Sequence, residues 1–365
     1  MADLNEKKES QFVEYLDQMK PKIDDIINKY MPRKASEKWA DFVFGKPHYA
    51  YSLEAAEATL LNPFWDLMDR GGKRWRPVLF LLIAEAIGGD IEKIKDIVLV
   101  PEIVHNGTLM IDDIEDQGEL RRGKPCIHKI FGVDVAINAG NFMYFYPLLA
   151  FSKNKEKFSP EILSKAYEVY AQEMMNVALG QGTDIFWHNG RAVNISEDEY
   201  LQMCAFKTGC LSRMSAKLAV IFSEGSEELV EAAGRVAEAI GVAFQIQDDI
   251  LDVVASDEGR TDFGKAFGND IKEGKRTLMV IHALQKASEE DKVRLIEILD
   301  KHTDDMDERR EAIEIIKKYD SINYARGKAK KIMADAWAEA NKLLSESEAK
   351  TRLEEFVNFL ITRKI

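Results

Sequence analysis

The sequence predicts an all-α protein, a large single-domain helical bundle around a central cavity. Three observations carry the all-α bundle, and the charged motifs below carry the cavity. All nine prolines fall at or before Pro160, which leaves 205 residues without one. The stretches 161–180, 196–222, 226–254, 275–287 and 322–346 repeat apolar side chains at three- and four-residue spacing, the period of an amphipathic helix. Strand signals are scarce, with no series of period-two runs bounded by tight turns.

The first element is an amphipathic helix over residues 8–30, with Phe12, Leu16, Met19, Ile23, Ile26, Ile27 and Tyr30 on its apolar face. Pro21 predicts a break or kink inside it. Pro32 and the Gly45-Lys46-Pro47 turn separate this segment from the remainder of the chain. Residues 1–50 therefore read as an N-terminal helical extension and 51–365 as one domain. No composition shift or short-period repeat divides the latter.

Hydrophobic content of 46% and charged content of 31% fit a soluble globular chain. A net charge of −13 excludes nucleic acid as a partner, since that demands a basic surface. Cys126, Cys204 and Cys210 are odd in number and form no ligand cluster, which fits reduced cytoplasmic thiols. The first residues are acidic and lack an apolar signal core. No apolar run approaches the roughly 18 residues of a membrane span. A cytoplasmic protein is expected.

The chemistry concentrates in Leu109-Met110-Ile111-Asp112-Asp113-Ile114-Glu115-Asp116, where four carboxylates crowd into five residues. Asp112 and Asp116 share one helix face and repel each other, so a cation is expected opposite. Hard oxygen ligands with room for water and phosphate suit Mg²⁺. Alone, this pattern equally describes a solvated acidic helix end. A second cluster, Asp248-Asp249-Ile250-Leu251-Asp252, lies in an apolar helix, with Gln245 one turn earlier. Burying such carboxylates without partners is prohibitive, so two clusters of this kind read as facing walls of one metal-filled cavity.

Cations occur in compact sets. Gly71-Gly72-Lys73-Arg74-Trp75-Arg76-Pro77 combines glycines, three cations and a helix start, a plausible anion cradle. Arg121-Arg122-Gly123-Lys124-Pro125 offers adjacent arginines that point different ways on an irregular segment. Lys207-Thr208-Gly209, Gly264-Lys265 and Gly274-Lys275-Arg276-Thr277 complete the series. His105 lies two helical turns before Asp112 on the same face, whereas His128 has no aligned partner. No nucleophilic triad and no zinc spacing is present in the sequence.

These pieces together resemble the trans-isoprenyl diphosphate synthases of the polyprenyl synthetase family, most of all those making geranylgeranyl or farnesyl diphosphate. The matching segments are GGKRWRP (71–77), HNGTLMIDDIED (105–116), RRGKP (121–125), FKTG (206–209), FQIQDDILD (244–252) and GKAFGNDIKEGKRTL (264–278), in the family's order. The resemblance implies a Mg²⁺-dependent transfer of an allylic prenyl group to isopentenyl diphosphate. It implies three ions held with diphosphate by Asp112, Asp116, Asp248, Asp249 and Asp252. Arg121, Lys207 and Lys265 would contact the allylic diphosphate. Lys73, Arg76, His105 and Arg122 would bind isopentenyl diphosphate. Thr208 and Gln245 would line the reacting end of the prenyl chain, with Gln181 and Asp184 behind them. The basic tail Thr362-Arg363-Lys364-Ile365 resembles tails that close over the homoallylic site. A homodimer is expected on the same ground.

In short-chain relatives, large aromatics four and five residues before the first aspartate floor the tail pocket. Here Thr108 and Gly107 stand there, so the floor is expected to open toward Val104 and favour a C20 product. Phe142, Tyr144, Phe145 and Tyr146 on the following helix could restore a stop. Two other readings compete: a class I terpene cyclase, and a non-catalytic subunit of a heteromeric synthase. The DDILD second motif and the GGKRWRP segment disfavour the first, and the two intact acidic motifs disfavour the second.

Overall fold

The computed structural model describes residues 2–192, 194–257 and 268–362; of residues 2–12, 255–257 and 360–362 only the backbone is described. Helices dominate, and among the described residues the sole sheet is one two-residue hairpin. The scarcity of strand signals is thus matched by the backbone. No described helix is long and apolar enough to cross a membrane.

The chain divides into two compact units. The first comprises Met1–Tyr167, Leu218–Ser226 and Ser347–Leu353, the second Glu168–Lys217, Glu227–Glu346 and Glu354–Ile365.

The first unit opens with α1 (Ala2–Tyr30). It runs unbroken through Pro21, against the expected interruption. Pro21 lies on the exposed side, where its missing N–H and displaced carbonyl can be met by water. Leu16, Ile23, Ile27 and Tyr30 are buried, the spacing of one helix face. Tyr30 anchors the C-terminal end: its hydroxyl donates to Asp96 Oδ2 at 2.8 Å and accepts from Asn154 Nδ2 at 2.8 Å. Tyr146 adds a 2.5 Å bond to the Tyr30 carbonyl, satisfying one of the carbonyls left over at a helix end.

Within this unit α2 (Trp75–Ala86) is buried all round except at Glu85, as its Val-Leu-Phe-Leu-Leu-Ile run requires. Next, α3 (Leu99–Glu115) packs on α4 (Val133–Phe145). Between them β1 (Leu120–Arg121) and β2 (Lys124–Pro125) form the hairpin.

In the second unit, α5 (Glu197–Cys204) starts at a capping box in which Ser196 and Glu199 satisfy each other's backbone N–H groups. A single π turn, Ala205–Gly209, joins it to α6 (Cys210–Phe222), whose residues through Lys217 belong to this unit. The long α7 (Glu227–Asp257) packs most extensively on α8 (Ser321–Ala340).

Candidate active site

On α3 the side chains of His105, Thr108 and Asp112, continued by Asp116 at its C-cap, form one half-buried stripe at three- to four-residue intervals. Asp113 turns the other way and is 2% exposed. It does not stand unpartnered there: Arg121 Nε donates to its Oδ1 at 2.8 Å, and Arg121 Nη2 bonds the same oxygen. Arg121 Nη2 also lies 3.6 Å from Asp112 Oδ2. The three aspartates of the first acidic motif therefore divide into two half-buried carboxylates, Asp112 and Asp116, and one, Asp113, that holds an arginine.

The hairpin explains how adjacent arginines serve different ends. Arg122 and Gly123 both have positive φ, 53° and 75°, as a two-residue primed turn demands. A non-glycine residue in that region costs backbone energy, and such strain collects at functional sites. While Arg121 engages Asp113, Arg122 reaches the carbonyls of Leu67 (3.2 Å) and Gly71, and Asn106 Oδ1 at 3.0 Å. Desolvation, opposed by Glu102 and reinforced by Arg74, Arg121 and Arg70, pushes the Arg122 pKa down to about 10.

Gly72 has φ 151°, and a Cβ there would lie 3.1 Å from Arg74 Nη1 and 3.3 Å from Arg122 Nη2, so this glycine nests between two guanidiniums. Lys73 is exposed, and Arg76 is buried with its guanidinium 4.2 Å from the Trp75 ring centroid. Desolvation and the surrounding Arg76, Arg122, Arg121 and Arg74 lower the His105 pKa well below its ordinary value. His105 is thus a neutral ring amid fixed positive charge, an environment suited to a polyanion.

The opening expected at Gly107 is closed. A Cβ at Gly107 would meet Met143 Cβ at 2.9 Å, the Gly140 carbonyl at 3.3 Å and Tyr144 Cδ1 at 3.3 Å. Gly140 faces back, where a Cβ would stand 2.6 Å from Ile111 Cδ1. The two glycines let α3 and α4 cross closely, and Val104 is fully buried. Of the four nearby aromatics, Tyr144 is the one against Gly107; Phe142 packs on Tyr146, centroids 4.9 Å apart, and Phe145 is 70% exposed.

In the second unit, the π turn carries Lys207 and Thr208. Such turns are single wide steps in a helix, often found at functional sites. Thr208 Oγ1 donates to Gln245 Oε1 at 2.9 Å. Gln245 Nε2 donates to Asp249 Oδ1 at 2.8 Å, and Tyr200 donates to Asp249 Oδ2 at 2.8 Å. Burial and the neighbouring Asp270 push the Asp249 carboxyl above its ordinary range. Gly241 permits the approach of α7 to this turn, since a Cβ there would lie 2.5 Å from Gly209 Cα.

Lys207 Nζ pairs with Asp184 Oδ2 at 2.6 Å. Burial alone would raise Asp184, but Lys207 and Lys275 outweigh it and hold the carboxyl below its usual range. Asp252 is 2% exposed and accepts from the Asp270 N–H at 3.1 Å. Asp248 is half-buried. Lys265 and the residues of the basic tail beyond Thr362 lie outside the described residues.

Among the described residues no three His, Cys, Asp or Glu side chains are gathered as a protein-only metal cage. The half-buried carboxylates Asp112, Asp116 and Asp248 are hard oxygen donors, few in each unit. That donor set fits Mg²⁺, which binds through one or two carboxylates and completes its shell with water and phosphate oxygens.

Several of these partners escape the sequence reading. Glu102, Asn106 and Arg74 join Arg122, and Tyr200 supports Asp249. Glu102 and Asn106 are spaced i,i+4 on one helix, a legible local signal. Tyr200 and Asp249 are 49 residues apart, and no local pattern marks them.

A family model for polyprenyl synthetases matches residues 57–316. The chain belongs to the polyprenyl synthetase family. It is accordingly an enzyme that transfers prenyl groups. It is 36% identical over 306 residues to a short chain isoprenyl diphosphate synthase of Methanothermobacter thermautotrophicus, covering 84% of this chain and 91% of that one. It is 34% identical to a geranylgeranyl pyrophosphate synthase of Dictyostelium discoideum, over 78% of this chain and 88% of that one. Among solved structures it is similar to a geranylgeranyl pyrophosphate synthetase from Pyrococcus horikoshii, with TM-score 0.79, 31% identity, and coverage of 97% and 99% of the two chains. Membership accounts for the order of the charged motifs on an all-α scaffold.

Proposed function

We propose that this enzyme condenses isopentenyl diphosphate head-to-tail with dimethylallyl, geranyl or farnesyl diphosphate, and that geranylgeranyl diphosphate is the main product. The observation that carries the reading is the neutral His105 ring surrounded by Arg76, Arg122, Arg121 and Arg74, beside the half-buried Asp112 and Asp116. Cation-rich and metal-binding surfaces side by side suit two diphosphates of different duty.

In this reading Lys73, Arg76, His105 and Arg122 hold isopentenyl diphosphate, and Arg121, Lys207 and Lys265 hold the allylic diphosphate. Asp112, Asp116 and Asp248 would hold Mg²⁺, which when bound neutralises charge on the departing diphosphate. Asp249 and Asp252 position α7 and Gln245, because their carboxylates are buried and already accept hydrogen bonds. As the allylic C–O bond breaks, the lone pairs of Thr208 Oγ1 and Gln245 Oε1 offer fixed negative dipole ends to the cation. The isopentenyl alkene forms the new C–C bond, and the proton lost afterwards goes to the departed diphosphate, so no side-chain base is required.

A C20 product is supported by the small Thr108 one turn before Asp112 and by the names of the relatives from Dictyostelium and Pyrococcus. A homodimer in the cytoplasm completes the reading; Cys126, Cys204 and Cys210 are all free thiols, as a reducing compartment would leave them. The test is incubation of the purified chain alone with labelled isopentenyl diphosphate and each of the three primers, with and without chelator. C20 output that chelator abolishes and Mg²⁺ restores is expected. Output that stops at C10 or C15 overturns the product assignment, and diphosphate release only with a second protein overturns the catalytic one.

A further inference from the structure

The N-terminal helix is joined to the cationic pocket by an unbroken chain of polar contacts. Asp24, on α1, accepts from Arg74 Nε at 3.0 Å, and its side chain is 46% exposed. Arg74 is buried, held in the left-handed region at φ 51°, and donates through Nη1 to Glu102 Oε1 at 2.8 Å. Asn106 donates to the same Glu102 oxygen at 2.7 Å, and its own Oδ1 accepts from Arg122 Nη2 at 3.0 Å. Glu102 and Asn106 are 3% and 0% exposed, so the middle of the relay is shielded from water.

We propose that α1 is a positioning element of the isopentenyl diphosphate site: Asp24 fixes Arg74, and Glu102 and Asn106 pass that constraint to the Arg122 guanidinium. The inference rests on the assignment of Arg122 to isopentenyl diphosphate. Three physical points support it. Arg74 carries two carboxylate partners, and without Asp24 a cation of the crowded Arg74–Arg122 pair would lose its outer counter-charge. A Cβ on Gly72 would crowd both guanidiniums, at 3.1 Å from Arg74 Nη1 and 3.3 Å from Arg122 Nη2, so the two cations flank one backbone position and only the hydrogen-bonded relay through Glu102 and Asn106 joins them. Finally, α1 is fixed independently by Tyr30 to Asp96, and the chain just after it by Trp65 Nε1 to the Pro32 carbonyl at 2.9 Å, so the brace has a rigid mount.

The experiment compares Asp24→Asn, Asp24→Glu, Asp25→Asn and Arg122→Gln in the full chain. Steady-state constants for each substrate are measured with calorimetric binding of isopentenyl diphosphate and with thermal melting. Asp24→Asn is expected to raise KM and Kd for isopentenyl diphosphate roughly fivefold, as loss of one partly exposed charged hydrogen bond allows. Its KM for the allylic substrate and its melting temperature stay near the parent values. Asp24→Glu recovers most of the loss, and Asp25→Asn, on the exposed side of the same helix, changes nothing. Unchanged isopentenyl diphosphate binding in Asp24→Asn, or equal losses for both substrates with a lowered melting temperature, overturns the inference. If Arg122→Gln itself leaves isopentenyl diphosphate binding intact, the assignment of Arg122 fails instead, and the two failures are told apart.

Discussion

A Cβ placed on Gly107 would stand 2.9 Å from Met143 Cβ. The glycine is therefore a contact between two helices, with no space beside it. Gly107→Ala should cost about 1–3 kcal/mol through overpacking, despite the helix propensity of alanine. Melting or urea unfolding measures it. A more stable Gly107→Ala chain would show that the helices part easily.

Product length should follow Tyr144 and Thr108. Tyr144 lies against Gly107, and burial followed by Glu115 and Asp112 raises its hydroxyl pKa. Its ring occupies the space that the sequence pattern assigns to an open floor. Tyr144→Ala is expected to shift products above C20, and Thr108→Phe to shift them to C15 or below. Chromatography of the dephosphorylated products reads both, and an unchanged distribution in both variants removes this wall as the determinant.

Tyr200→Phe removes the donor to Asp249 Oδ2 and leaves a buried carboxylate oxygen short of one partner, at a cost of about 1–3 kcal/mol. Through Gln245 the effect reaches Thr208. The expected signature is a kcat about tenfold lower, or about 1.4 kcal/mol of barrier, with both KM values nearly constant. A rise in KM with intact kcat would place the relay in binding.

His105 has a folded pKa below its ordinary 6.5, because desolvation and then Arg76 and Arg122 disfavour the imidazolium. The imidazolium is accordingly disfavoured at neutral pH, and its titration adds no slope between pH 7 and 8. His105→Gln, a neutral hydrogen-bonding replacement, should keep KM for isopentenyl diphosphate within about threefold, whereas His105→Ala should raise it by roughly tenfold. A slope between pH 7 and 8 that vanishes in His105→Gln would contradict the assignment.

Asp96 sets an acid limit on the docking of α1. Burial would raise its pKa, but hydrogen bonds from Lys29 and Tyr30 and the charges of Lys29 and Lys157 hold it below 3.8. With the folded pKa depressed, the stabilisation is complete above that ordinary value and is lost as pH falls through the folded one. Asp96→Asn should lower the urea midpoint at pH 7, and the gap to the parent should close toward pH 3. A gap that does not narrow as pH falls below 3.8 would attribute the loss to packing.

Helix content, the two acidic motifs and the cationic segments are all written in local patterns, because helical periodicity and i,i+4 spacing involve neighbours along the chain. That is why His105, Asp112 and Asp116 can be read onto one face of α3 before any folding is considered. Pro21 misleads because its cost depends on which side of the helix it faces, and burial of the other side is a tertiary fact. Gly107 misleads for the same reason: the sequence shows a missing side chain, and only α4 decides whether the gap is filled.

The sequence by itself thus determined the reaction class, through charges of fixed type at fixed spacing. Tertiary structure decided which carboxylates are reachable, since Asp113, Asp249 and Asp252 differ from Asp112 and Asp248 only in what packs around them. It also decided that α1 meets the Arg74–Glu102–Asn106–Arg122 chain. Those contacts span from 4 to 50 residues of sequence, and all but the shortest are set by the packing of whole helices, which no local pattern encodes.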